Sequence, residues 1–224
     1  MAEAMRIDVF FDSICPWSYV AIRRLEVALD QSPQGNLHVN WSPFLLNPQM
    51  PAGGAGRQNY LRSKFGALER VNRMLDRLVH MGRELGIEFD FEAIKRTPNT
   101  IDAHRLIRFA DQEYLGRDAV MALFKAFFEK GLDTGDPEVL LSIGRKLELD
   151  LAALENYLAT PMDIDKILEQ FGWARRLGIK SVPSFIFAGR FSISGAQEPA
   201  IFARMFEVAQ EGRQDLLRAE KEPV

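Results

Sequence analysis

Extended-type hydrophobic runs stand only near the two ends of this chain, and the long stretch between them is patterned as helix. A sheet must therefore be assembled from segments distant in sequence, with the middle of the chain supplying helices around it. Ile7, Val9, Phe10 and Phe11 form a nearly continuous apolar run, as a strand buried on both faces requires. From residue 16 to 30 the period becomes helical. Val20, Ala21, Leu25, Ala28 and Leu29 share one face there, leaving Arg23, Arg24, Glu26 and Asp30 for water. The cluster Ser32-Pro33-Gln34-Gly35-Asn36 reads as a turn before a second extended stretch at 37–46 with Val39, Trp41 and Phe44. Strand, helix and strand in that order make a βαβ unit.

Residues 59–85 then place Leu61, Phe65, Leu68, Val71, Leu75 and Leu78 at steps of three and four, with Gly66 and Gly82 as weak points. Asn99-Thr100 predicts the cap of a helix through Ala103, Leu106, Ile107 and Ala110. A helix is expected over 117–130, stopped by Gly131, and another opens at Asp136-Pro137 with the proline at the first helical position. Helices over 151–158 and 164–177 follow, the second ending at Gly178. Strands return at 184–187 and 190–194 about Ala188-Gly189, and 199–210 closes the pattern as a helix. Gly53-Gly54-Ala55-Gly56 reads as a loop, since it lacks the Gly-Lys-Ser/Thr ending of a phosphate loop. The expected fold is α/β: a mixed sheet flanked by helices, with residues 1–58 and 163–224 forming one discontinuous domain and 59–162 an all-helical insertion.

Charge narrows the function. With 28 Lys+Arg against 31 Asp+Glu, interspersed in sign, the chain has no basic footprint for nucleic acid. No window approaches the ~18 uncharged apolar residues of a membrane span. Glu3, Asp8 and Asp12 interrupt the start, where a secretion signal needs a basic end and an apolar stretch, so a cytoplasmic location is expected. A single cysteine, Cys15, excludes any intrachain disulfide.

Cys15 lies where the first strand ends and the first helix begins, followed by Pro16, Trp17 and Ser18. Unpaired N–H groups and the positive end of the helix dipole favour a thiolate there, and such cysteines can fall from about 8.5 to between roughly 3.5 and 7.5 in pKa. Ser18, one turn on, can donate to the sulfur. The competing reading is a small buried hydrophobe. Val182-Pro183 stands where a strand begins, a place a proline tolerates. If that bond is cis, the Val182 N–H and C=O are presented to an extended peptide.

Cys15-Pro16-Trp17-Ser18 between a strand and a helix, with Val182-Pro183 before a terminal hairpin and helix, resembles the thioredoxin-fold DsbA family with its helical insertion. Asn99-Thr100-Ile101-Asp102-Ala103-His104-Arg105-Leu106 and Ser194-Gly195-Ala196-Gln197 are similar to its FrnE-like branch, and the likeness spans about residues 5–210. Family oxidoreductases carry a second cysteine where this chain has Ser18. The related 2-hydroxychromene-2-carboxylate isomerases and kappa-class glutathione transferases carry Ser-Pro-Tyr-Ser at this place and use the first serine with glutathione. The resemblance implies a thioredoxin-like fold, Cys15 and Ser18 as catalytic residues, and a substrate or glutathione site at Pro16, Trp17, Val182, Pro183, Ser194 and Gln197, with Asn99 and His104 contributed by the insertion. Gln197 departs from the acid that the transferases carry.

Of the histidines, His38 and His80 read as surface or partly buried groups. His104 reads as either a hydrogen-bonded structural group or a cleft-lining one. No Cys/His cluster suggests a metal, and Met162-Asp163-Ile164-Asp165 reads as a helix start. The leading expectation is a thiol-disulfide oxidoreductase in which Cys15 forms a mixed disulfide with a disulfide-bearing or glutathionylated protein. An external thiol such as glutathione then resolves it; no cofactor is covalently bound. Alternatives are a glutathione-dependent isomerase or transferase of small aromatic substrates, and a non-catalytic peptide-binding module. Pairing into a homodimer is left open.

Overall fold

A computed structural model describes residues 5–31, 37–66 and 68–219. The segments 1–4 and 32–36, the second holding the expected turn cluster, lie outside the described residues. Four strands form the main sheet: β1 (Met5–Phe11), β2 (Leu37–Pro43), β5 (Ser184–Phe187) and β6 (Phe191–Ser194), in the order β2-β1-β5-β6. β2 runs parallel to β1, while β5 and β6 run antiparallel to their neighbours, so the sheet is mixed and thioredoxin-like. β1 is its inner strand, and the alternation of its side chains explains the unbroken apolar run. Val9 and its partner Phe185 join the large core, in which Phe185 meets Phe202 of α9 (Pro199–Ala219). Phe10 points to a second cluster with Phe44, Ala174 and Ile179, where α8 (Ile164–Arg176) packs.

The connection from β2 to α8 holds α2 (Arg57–Phe65), α3 (Leu68–Glu84), α4 (Ile101–Asp111), α5 (Gly116–Phe124), α6 (Pro137–Lys146) and α7 (Leu151–Ala159). The expected helix over 59–85 is two helices, broken at Gly66, whose φ of 74° and ψ of −116° leave the helical region. Gly82 stays inside α3 because the Phe89 ring occupies the space a Cβ would need, at 2.6 Å. After Phe124 the expected 117–130 helix widens into a π-helical turn, Lys125–Glu129, which still buries Phe127 and Phe128. The extended stretch ends at Pro43, three residues early. The glycine-rich loop is partly ordered as β3 (Ala55–Gly56), paired with β4 (Arg96–Thr97). Asn99, rather than Thr100, supplies the side-chain bond at the start of α4: its Oδ1 accepts from Ile101 N at 3.0 Å.

Two charged residues of α1 (Pro16–Gln31) correct the expected solvent face. Arg24 and Glu26 are buried, because each finds a partner far away in sequence: Arg24 reaches Ala196 and Glu198, and Glu26 pairs with Arg117 as well as with its neighbour Arg23. Arg105 of α4 is likewise buried and donates to the carbonyls of Tyr157, Thr160 and Met162, closing the end of α7.

Asp163 joins α7 to α8. Lys166 and Arg108 hydrogen-bond its carboxylate and pull its pKa down to about 2, and the Tyr157 hydroxyl donates to it at 3.2 Å. A depressed carboxylate contributes stability that is present above its unfolded pKa near 3.8 and lost as pH falls toward 2. Asp163→Asn keeps the left-handed backbone at φ 65°, which asparagine tolerates, and removes the charge together with one of the two acceptor oxygens. It is expected to cost about 1–2 kcal/mol at pH 7, after screening at the half-exposed Lys166. Chemical denaturation at pH 7 and pH 2 checks this, since the difference between the proteins should shrink markedly at the lower pH.

Candidate active site

The β1–α1 turn is built by its own backbone. Cys15 N donates to Asp12 O at 2.9 Å, and Ser18 N and Tyr19 N donate to Cys15 O, so Cys15 caps α1 with Pro16 at the first helical position. The Val182-Pro183 peptide bond is cis. It brings Val182 O to 3.6 Å from Cys15 Sγ across 167 residues of sequence, so that carbonyl already receives the thiol. Pro183 O accepts from Gly195 N at 2.9 Å, and the Gln197 side-chain amide donates to Ser194 O at 2.7 Å. Cys15, Val182, Pro183 and the 194–197 loop are thus linked by a chain of hydrogen bonds and peptide bonds, with the half-buried Trp17 on the first turn of the helix. Two residues unforeseen from sequence hold that loop. Arg24 donates to Ala196 O at 2.7 Å and pairs with Glu198 at 2.7 Å. No sequence signal marks Arg24, since its period places it at the edge of an amphipathic face.

Asn99 bonds elsewhere: its amide donates to Met50 O at 2.7 Å and its carbonyl serves α4. His104 is buried against the Phe11 ring, with Nε2 3.8 Å from Asp12 Oδ1. Its Nε2 has no hydrogen-bond partner among the described residues, and the ring, 3% exposed, borders a small cavity with Asn40 and Trp41. His38 is exposed on β2, and His80 is exposed beside Glu84. Among the described residues no group of three or more His, Cys, Asp or Glu could hold a metal ion.

The electrostatics correct one expectation. Cys15 is only 4% exposed, and burial pushes its thiol up to about 11. The Asp12 carboxylate adds to the rise, while the Ser18 hydroxyl and the Ser18 and Trp17 N–H groups pull the other way and lose. The favourable end of a helix is worth about 0.3–2 kcal/mol, whereas full burial can move a pKa by 3–5 units. At pH 7 the sulfur is then held as the thiol. Alkylation of Cys15 by iodoacetamide should therefore rise about tenfold per pH unit from 7 to 10; a plateau by pH 8 would contradict the dominance of burial.

A profile of the DSBA-like thioredoxin domain family matches residues 6–207. A curated relative, the uncharacterized protein YwbO of Bacillus subtilis, is 25% identical over 202 residues, covering 89% of this chain and 94% of its own. The crystal structure of a probable DsbA oxidoreductase from Streptomyces coelicolor superposes with a TM-score of 0.85 at 25% identity, over 98% of this chain and 92% of that one. The cytosolic disulfide reductase DsbM of Pseudomonas aeruginosa, solved with GSH, shares the fold at a TM-score of 0.65 and 17% identity, over 92% and 99% of the two chains. A 2-hydroxychromene-2-carboxylate isomerase shares it at 0.67 and 19%, over 97% and 100%. Among the described residues no helix is long and apolar enough to cross a membrane.

Proposed function

The chain belongs to the DSBA-like thioredoxin domain family, and from that premise we propose that it is a thiol-disulfide oxidoreductase working through Cys15 alone. The supporting observation is the placement of Cys15 Sγ at the helix cap, 3.6 Å from the Val182 carbonyl of the cis-proline loop. An incoming disulfide that displaces this contact meets the sulfur with Val182 free to pair with its backbone. Cys15 attacks one sulfur of a protein disulfide or glutathionylated cysteine to form a mixed disulfide. Ser18 has no thiol with which to resolve it, so an external thiol such as glutathione completes the cycle. A cytoplasmic location suits such a cycle, since it draws on a reduced thiol pool.

A glutathionylated peptide tests this reading. Its deglutathionylation should require added glutathione and grow with glutathione concentration; turnover without any external thiol, or none with it, would remove the single-cysteine cycle. The buried, protonated state of Cys15 favours a second reading, a glutathione-dependent isomerase in which the protein's own thiol is not the nucleophile. Retention of glutathione-dependent isomerisation by Cys15→Ser would select it.

A further inference from the structure

Arg24 is a buried guanidinium with no acid one turn away on its own helix, where Val20, Ala21, Val27 and Ala28 are all apolar. A charge this buried must be met from elsewhere. The connection from β6 to α9 meets it: Nη1 donates to Ala196 O at 2.7 Å, and Nη2 pairs with Glu198, also at 2.7 Å. The Glu198 side chain is 68% exposed, and an ion pair so open to water holds little, so the bond to the carbonyl is the one that fixes the loop. Other backbone groups of the loop are spent in turn. Gly195, at φ 81°, donates its N–H to Pro183 O at 2.9 Å, and Gln197 N donates to Gly195 O at 3.0 Å. Of the three N–H groups at 195–197, the half-buried Ala196 N has no acceptor among the described residues. These bonds close a ring. The Cys15 thiol reaches Val182 O, the chain passes to Pro183, whose carbonyl holds Gly195, and Ala196 returns through Arg24 to α1. Arg24 stands about two and a half turns along that helix from the sulfur. Its guanidinium is therefore where the placement of the 194–197 loop is referred to the helix that carries Cys15.

We propose that Arg24 is a positioning residue for the partner of Cys15: it fixes the Ala196 peptide relative to the sulfur, so that Ala196 N meets an acceptor oxygen of the bound partner. The proposal rests on the reading of Cys15 as the attacking thiol and of the 194–197 loop as part of the partner's site. Arg24 acts through the Ala196 carbonyl. The sulfur's own surroundings are set by the backbone turn at Asp12 and by Val182 O, which do not depend on that bond. Loss of the guanidinium therefore weakens capture of the partner and leaves the reactivity of the thiol as it was. A displacement of about 1 Å in a positioning group can cost up to about a hundredfold in rate, so an effect of tenfold is within reach of this one contact.

The test measures turnover of a glutathionylated peptide at saturating glutathione for Arg24→Met and Arg24→Lys, beside Cys15 alkylation by iodoacetamide between pH 7 and 10. Arg24→Met should lower kcat/KM by about tenfold or more, nearly all of it in KM, while the alkylation profile stays within about twofold of the parent. Arg24→Lys, which keeps the charge and can reach one acceptor, should recover about a third or more of the loss. An unchanged KM, or an alkylation profile that moves with it, overturns the proposal. A second measurement needs no variant: in the wild-type protein, titration with S-methylglutathione, which cannot exchange, should shift the Ala196 amide and the Arg24 guanidinium resonances together. Shifts at neither overturn the proposal even where the variants fail to fold. Turnover by the parent separates the two failures: release of glutathione with a KM indifferent to Arg24 removes only the positioning role, whereas no release removes the reading of Cys15 beneath it.

Discussion

Cys15→Ser is expected to lower mixed-disulfide formation and deglutathionylation by about 10³-fold or more, because no other sulfur nucleophile exists in the chain except methionine thioethers. The substitution is nearly isosteric, and the sulfur makes one weak contact, to Val182 O. The fold should therefore persist, with a melting temperature within a few degrees of the parent. Rates of glutathione release from a labelled peptide, measured beside a melting curve, check both halves. Undiminished exchange in this variant would mean that the observed chemistry belongs to the assay rather than to Cys15.

Ser18→Cys should convert the external cycle into an internal one. Ser18 is fully buried on α1, one turn from Cys15, so a thiol there faces the sulfur of any mixed disulfide. Attack within one turn of helix replaces a bimolecular encounter, and the effective concentration of such a neighbour exceeds millimolar free thiol. A glutathione adduct that persists in the parent without added thiol should leave this variant at least about a hundredfold faster, ending in a bond between residues 15 and 18. Time-resolved mass measurement of the adduct reads this directly, and equal persistence in both proteins would show that residue 18 does not face the reacting bond.

Local signals carried much of this architecture. The unbroken run at Ile7 to Phe11 marks a strand buried on two faces, and Gly178 and Gly131, with φ of 83° and 63°, end helices where their position suggests. Ala188 and Gly189 turn the hairpin through two positive φ values, 50° and 69°, and Asp136 accepts from Glu138 N as the cap before Pro137. What periodicity does not reveal is where a charged side chain finds its partner. Arg24 and Arg105 are buried because carbonyls distant in sequence satisfy them, and Glu26 because Arg117 does, partners that no window of neighbours contains. Of the candidate site, the turn at Cys15 and its approach to Val182 were legible, the second through family resemblance. The burial that reverses the expected thiol pKa was not, since it depends on how tightly the cis-proline loop covers the sulfur.

The central claim is that Cys15, buried as it is, exchanges with a disulfide in the folded protein. Incubating native protein with glutathione disulfide, quenching in acid and mapping the adduct by peptide mass tests it most directly. One glutathione on the peptide holding Cys15, released again by free glutathione, is the predicted result. A free Cys15 after prolonged incubation, in protein whose thiol reacts fully once denatured, would contradict it.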